Sequence, residues 1–160
     1  MHNATRQDYH PIDDNPMSQG TRVHQMAMYT VFDAPLQMLS DKPSLYERFP
    51  ECTDFISKVP TVFDDCRTLQ GEMGEYIVTA KRKGATWFVG AMTSWKEREL
   101  ELKLDFLDNA TYKAVIFRDG VNASRNAEDY KLEEKTVKKG DVLKITMKSG
   151  GGWTARFEKM

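Results

Sequence analysis

The carboxylates, imidazoles and thiols that could do chemistry in this sequence gather in a few places. Near the start, His2 and His10 stand with Asp8, Asp13 and Asp14. Imidazole nitrogens and carboxylate oxygens can hold a divalent metal or exchange a proton, yet these intervals match no standard ligand motif, and a polar loop collects such residues for solubility. Two neighbouring carboxylate pairs follow, Asp64 with Asp65 and Glu72 with Glu75. Cleaving a glycosidic bond takes two carboxyl groups held ~5 to 9.5 Å apart across a sugar, which proximity in sequence does not supply. Capping a strand or facing solvent is the simpler reading. Cys66 has no partner histidine in a nucleophile motif, and with Cys52 it makes at most one disulfide; two separate thiols are expected. His24 is expected to be a packed or capping histidine. Trp87, Trp95 and Trp153, with Tyr76 and Phe88, have the surfaces on which a sugar ring stacks, although in a β-sandwich such aromatics are more often core. The stretch from Arg118 and Asp119 to Asp129 has the polar turn chemistry of a binding loop or of a plain connection. No complete catalytic constellation emerges.

The elements that must position these groups change character near residue 70. Residues 1 to 19 are polar, carry Pro11 and Pro16, and read as a long loop. Val23, Ala27 and Val31 recur at helical spacing, predicting a helix from about Gly20 to Phe32 that Ser18 could cap and that stops before Pro35. Leu36-Gln37-Met38-Leu39 reads as a short buried strand. A second helical region starts at Ser44, with Pro50 at an allowed first-turn position. Such a piece resembles one repeat of an α/β architecture, too little to close a sheet on its own. Its uncovered apolar faces are expected around Val23, Ala27, Met38 and Leu39.

From Gly71 to Trp95 the pattern is a β-hairpin: Tyr76, Val78 and Ala80 alternate with polar neighbours, Gly84 turns the chain, and Trp87 to Val89 begin the return. Leu100, Leu102, Leu104 and Phe106 then alternate with charged residues, as in a half-exposed antiparallel strand. Tyr112 to Phe117 is apolar on both faces and should be central. Tyr130 to Val137, Val142 to Met147 and Trp153 to Phe157 complete seven short strands, the signature of a β-sandwich.

Twenty-three Lys and Arg against 24 Asp and Glu give a net charge of −1, with both signs mixed along the 160 residues. Neither a nucleic-acid footprint nor a polybasic membrane patch is present. No apolar run approaches the ~20 residues that span a bilayer, and MHNATRQDYH lacks the apolar core of a signal peptide.

Several stretches together resemble the C-terminal portion of glycoside hydrolase family 97, a family of α-glucosidases and α-galactosidases. They include Met1-His2-Asn3-Ala4, Pro16 to Arg22, His24 to Tyr29, Pro35 to Asp41, Val59 to Asp64, Gly74 to Ala80, Phe117 to Gly120, Asn126 to Tyr130 and Gly150 to Trp153. The resemblance implies an α+β fragment: the C-terminal piece of a (β/α)₈ barrel (helix, strand, helix) over residues 1–65, with Leu36 to Leu39 as its final strand, followed by an antiparallel β-sandwich over residues 66–160. The family's catalytic carboxylates and its active-site calcium ligands lie on earlier barrel strands, so no catalytic or metal-binding residue carries over. Calcium belongs to the complete enzyme. His2, Asn3 and Asp41 would be sugar-proximal in the loops at Met1 and after Leu39. Implied partners are an α-linked oligosaccharide bound through the complete enzyme, the remainder of the barrel, and a second copy in a homo-oligomer; the family is usually periplasmic. The alternative is a non-catalytic β-sandwich module that binds carbohydrate or serves structure and oligomerisation.

Overall fold

The computed structural model describes residues 2–14, 16–34 and 36–160. Met1, and Pro35 as the expected stop of the first helix, lie outside the described residues. Two minimal strands open the chain, β1 (Asn3–Ala4) and β2 (Ser18–Gln19), paired in parallel with Asn3 opposite Ser18 and Ala4 opposite Gln19. They lie where a featureless loop is expected, because two-residue strands leave no periodicity to read. Helix α1 (Arg22–Val31) follows. Its N-cap is Thr21 rather than Ser18: the Thr21 hydroxyl oxygen accepts from the His24 amide at 3.1 Å, satisfying one of the helix's orphan donors.

Residues 36–39 correct the expected buried strand. They are irregular, with Leu36 79% and Met38 78% exposed; a four-residue apolar run is ambiguous when nothing pairs with it. Two short helices come next, α2 (Pro43–Arg48) and α3 (Pro50–Ser57), each begun by a proline whose missing N–H costs nothing in a first turn. The parallel pair precedes the helices, so the order is strand, strand, helix, helix, helix and not helix, strand, helix.

Eight antiparallel strands make up the rest. Six form one sheet in the order β3 (Asp65–Glu72), β4 (Tyr76–Lys83), β5 (Thr86–Thr93), β10 (Gly152–Lys159), β7 (Thr111–Asp119) and β8 (Tyr130–Lys138); β6 (Arg98–Lys103) and β9 (Val142–Met147) form a two-stranded ribbon over it. Strand β3 escapes sequence reading because DCRTLQGE is polar on both faces and carries a bulge between Thr68 and Gln70. The expected alternation does appear in β6, where Leu102 is buried and Glu101 exposed. β10, buried along six consecutive residues, lies inside the sheet between β5 and β7. Gly84, at φ 57°, supplies the left-handed turn of the β4–β5 hairpin.

The sheet has two buried faces. Toward the ribbon, Val78, Trp87, Val89, Leu102, Ile116, Ile145, Trp153 and Phe157 form the main core, with Phe106 set edge-on to Phe157 at 5.9 Å between ring centroids. Toward the helices, Val23 and Met26 of α1 and Phe55 and Ile56 of α3 pack with Phe88 and Phe117 of the sheet. Val23 and Ala27 are therefore fully buried, correcting the expectation that they would be uncovered. The sandwich itself covers them.

Candidate functional site

A buried carboxylate with three hydrogen-bond donors sits where α1 begins. Asp119, the last residue of β7, is 2% exposed. Its Oδ1 accepts from the Thr21 hydroxyl at 2.7 Å, and its Oδ2 accepts from the backbone amides of Lys148 at 2.8 Å and Gly152 at 3.1 Å. Thr21 thus donates to the carboxylate while accepting from His24, so Asp119 orients the hydroxyl that caps the helix. A negative group there also complements the positive end of α1. Burial pushes the Asp119 carboxyl up to about 6, against the pull of its three donors.

The three consecutive glycines after β9 make room for this contact. A methyl on Gly151 would overlap Asp119 Oδ2, one on Gly152 would meet the His24 backbone, and one on Gly150 would enter the Trp95 ring. The Thr21 amide donates to Gly150 O at 2.9 Å, and His24 Nδ1 lies 3.0 Å from Gly151 O. Desolvation holds the His24 imidazole below its ordinary value. The Arg22 amide donates to Ala127 O at 2.7 Å, and its guanidinium pairs with Glu128 at 2.9 Å and lies 3.8 Å from the centre of the Phe49 ring. The loop from Gly120 to Asp129 is in this respect a clamp on α1. Beside it, Arg6 of the loop that leaves β1 lies over Trp95 at 5.7 Å.

Of the three residues expected near a sugar, the structure brings two together: the His2 amide donates to Asp41 Oδ2 at 2.7 Å. Asn3 turns away, giving its Nδ2 to Gln25 Oε1 at 2.9 Å. His2 stands before β1 and Asp41 after α1, beyond the irregular stretch 36–39. Three of the four paired carboxylates are engaged in structural contacts. Glu75 pairs with Arg98, Asp64 accepts from Lys83 Nζ at 2.9 Å and the Gly84 amide at 2.8 Å, and Asp65 pairs with Arg67 at 2.7 Å. The Gly84 amide foremost, and the Lys83 ammonium after it, lower the Asp64 carboxyl. Cys52 and Cys66 are both free, and burial raises the Cys52 thiol to about 11. Trp87 and Trp153 are core, while Trp95 is half-buried. Among the described residues no three His, Cys, Asp or Glu side chains converge as a metal site would require.

A groove of ≈ 440 Å³ runs along the opposite side of α1, lined by Gln19, Met28, Tyr29, Phe32, Leu36 and Met38 among others.

Comparison with known proteins agrees with this architecture. Residues 62–158, more than half the chain, match the family model described as "Glycosyl-hydrolase 97 C-terminal, oligomerisation". A retaining alpha-galactosidase from Bacteroides thetaiotaomicron is 48% identical over 158 residues, 99% of this chain and 24% of its own length. A glycoside hydrolase family 97 enzyme from a Pseudoalteromonas species, solved in complex with panose, superposes with a TM-score of 0.85 at 34% identity, covering 88% of this chain and 23% of that one. A beta-arabinopyranosidase structure superposes with a TM-score of 0.73 at 25% identity over 89% of this chain and 22% of its own. The chain spans about a quarter of the length of these relatives. It belongs to glycoside hydrolase family 97, of which it carries the C-terminal β-sandwich domain.

Proposed function

We propose that this chain is the C-terminal part of a retaining α-galactosidase of family 97, in which residues 1–65 close the catalytic barrel and the sandwich of residues 66–160 braces it. The observation that carries this reading is the 48% identity to a retaining alpha-galactosidase along 99% of the chain. The parallel pairing of β1 with β2 and the helix α1 that follows β2 support it, since a barrel is built of parallel strands with helices outside them. So does the groove beside β2, whose apolar lining the preceding barrel elements would cover. Retaining hydrolysis uses a nucleophile and an acid/base carboxyl ~5 to 5.5 Å apart. Asp64, Asp65 and Glu75 of this chain are held in ion pairs and a turn, which supports a reading in which that machinery belongs to the segment upstream.

The test is a chimera in which this chain replaces the matching quarter of the Bacteroides relative. Restored hydrolysis of a p-nitrophenyl α-galactoside, compared with the relative lacking that quarter, is the expected result. A soluble but inactive chimera would overturn it. Substituting His2, Asn3 and Asp41 by alanine in the same chimera tests whether any of them faces the sugar: KM rises for one that does. A second reading, association of copies through the sandwich, is favoured by the oligomerisation role in the matched family description.

A further inference from the structure

Resting on the reading just given, in which β1 and β2 close a barrel, we propose that Asp119 and Trp95 are positioning residues of the sugar cleft: the sandwich holds the two barrel loops that leave these strands. Strands β1 and β2 are parallel and in register, so both chain exits lie at one edge. In a (β/α)₈ barrel that edge carries the chemistry. The exit of β2 is only Gly20 and Thr21 before α1 starts at Arg22, and it has no slack. From the sandwich, Gly150 O takes the Thr21 amide and Asp119 takes the Thr21 hydroxyl. The exit of β1 runs through Thr5 to Arg6, and Arg6 lies over Trp95. Trp95 is itself fixed, its carbonyl accepting from Ser149 Oγ at 2.7 Å and its ring lying against Gly150. Both exits therefore land on one patch built from Trp95, Gly150 and Asp119.

A buried carboxylate is costly to desolvate unless it is bonded. Here its donors are the α1 cap and the glycine turn that meets the strand exit, so the arrangement is rigid where the loop needs fixing. Displacing a cleft loop by about 1 Å is enough to cost up to ~100-fold in rate, so the two anchors act on catalysis without touching substrate.

The experiment compares the active chimera carrying the native chain with its Thr21→Val, Thr21→Ser, Asp119→Asn and Arg6→Ala variants. It reads kcat and KM on the p-nitrophenyl α-galactoside well below each variant's unfolding midpoint. Thr21→Val and Asp119→Asn are expected to lower kcat/KM by about tenfold, within the range a misplaced loop produces, and Thr21→Ser, which keeps the hydroxyl, to restore it. Arg6 is exposed, so Arg6→Ala should leave the unfolding midpoint in place and raise KM severalfold, with kcat little changed. Native kcat and KM in both Thr21→Val and Arg6→Ala would overturn the proposal, as would equal losses in Thr21→Val and Thr21→Ser. If Asp119→Asn fails to fold, Arg6→Ala and the Thr21 pair decide. A native chimera without activity removes the underlying reading and this inference together; an active one with indifferent variants removes this inference alone.

Discussion

Asp119 and His24 both bond to Thr21, the cap of α1, and burial shifts the pKa values of their side chains in opposite directions. Burial raises the Asp119 carboxyl to about 6, above the ~3.9 of an unfolded chain. The folded protein therefore holds that proton more tightly, and the stability it lends is full below pH ~4 and lost as pH rises through about 6, amounting to about 3 kcal/mol. His24 is lowered by burial, so its contribution is present above pH ~6.5 and lost as pH falls. The nearby ammonium of Lys148 is paired with Glu97 and the guanidinium of Arg118 with Glu133. Asp119→Asn removes one titration and keeps the other. The unfolding free energy of the native chain minus that of Asp119→Asn should fall between about pH 4 and pH 7, measured by urea titration at each pH. A flat difference would mean that the carboxyl titrates at its ordinary value. Little of this site is legible in the sequence. Asp119 reads as one member of a polar loop, and its donors are two backbone amides and a hydroxyl 98 positions away. The one signal is Gly150-Gly151-Gly152, three glycines where a hairpin needs fewer, each facing a group that a side chain would strike.

At the scale of elements, α1 lies across β5 and β10 because the sheet leaves it room. Gly90 of β5 faces the helix: a methyl there would come within 2.9 Å of Val31 Cγ2 and 3.0 Å of Ala27 O. Gly90→Ala should destabilise the chain by about 2 kcal/mol, the usual scale for overpacking a close contact. Adding Val31→Ala should recover part of the loss by removing the nearest atom, while the Ala27 carbonyl stays in place. Thermal or urea unfolding of the two single variants and the double variant reads this coupling, and strict additivity would refute the contact as its cause. The far end of α1 is held by Lys81, 1% exposed, which donates to Val31 O at 3.1 Å and Asp33 Oδ1 at 2.7 Å. Lys81→Met should cost about 2 kcal/mol in the same measurement, since it strands a helix-end carbonyl and the residue's other partners. An unchanged midpoint would mean that water serves the carbonyl equally well. Long, strongly patterned elements such as α1 and β6 are legible because one face of each meets a core. β3, β1 and β2 are not, being polar on both faces or two residues long, and Leu36 to Leu39 mislead because an apolar run is a strand only when something pairs with it.

For the whole molecule, the question is which surface associates. The matched oligomerisation description covers residues 62–158, yet both edges of the six-stranded sheet there are poorly suited to adding another strand. β3 is bulged, and β8 carries Lys131, Glu133, Glu134 and Lys135, with Glu133 held between Arg118 and the two lysines. Charges and bulges on edge strands oppose uncontrolled pairing. An exposed apolar group lies elsewhere: Phe32, Leu36 and Met38 line the groove beside α1, and Leu39 next to them is also exposed. Under the proposed reading two modes of association have different fates: contact through the sandwich would persist in a complete enzyme, whereas contact through the groove would end where preceding barrel elements occupied it. Leu36→Lys combined with Met38→Lys should therefore lower the association state of the isolated chain in sedimentation velocity. It should leave the unfolding midpoint nearly unchanged, because both side chains are exposed and contribute little to the core. If the association state does not move, the sandwich carries all the contact and the groove is an ordinary wetted surface.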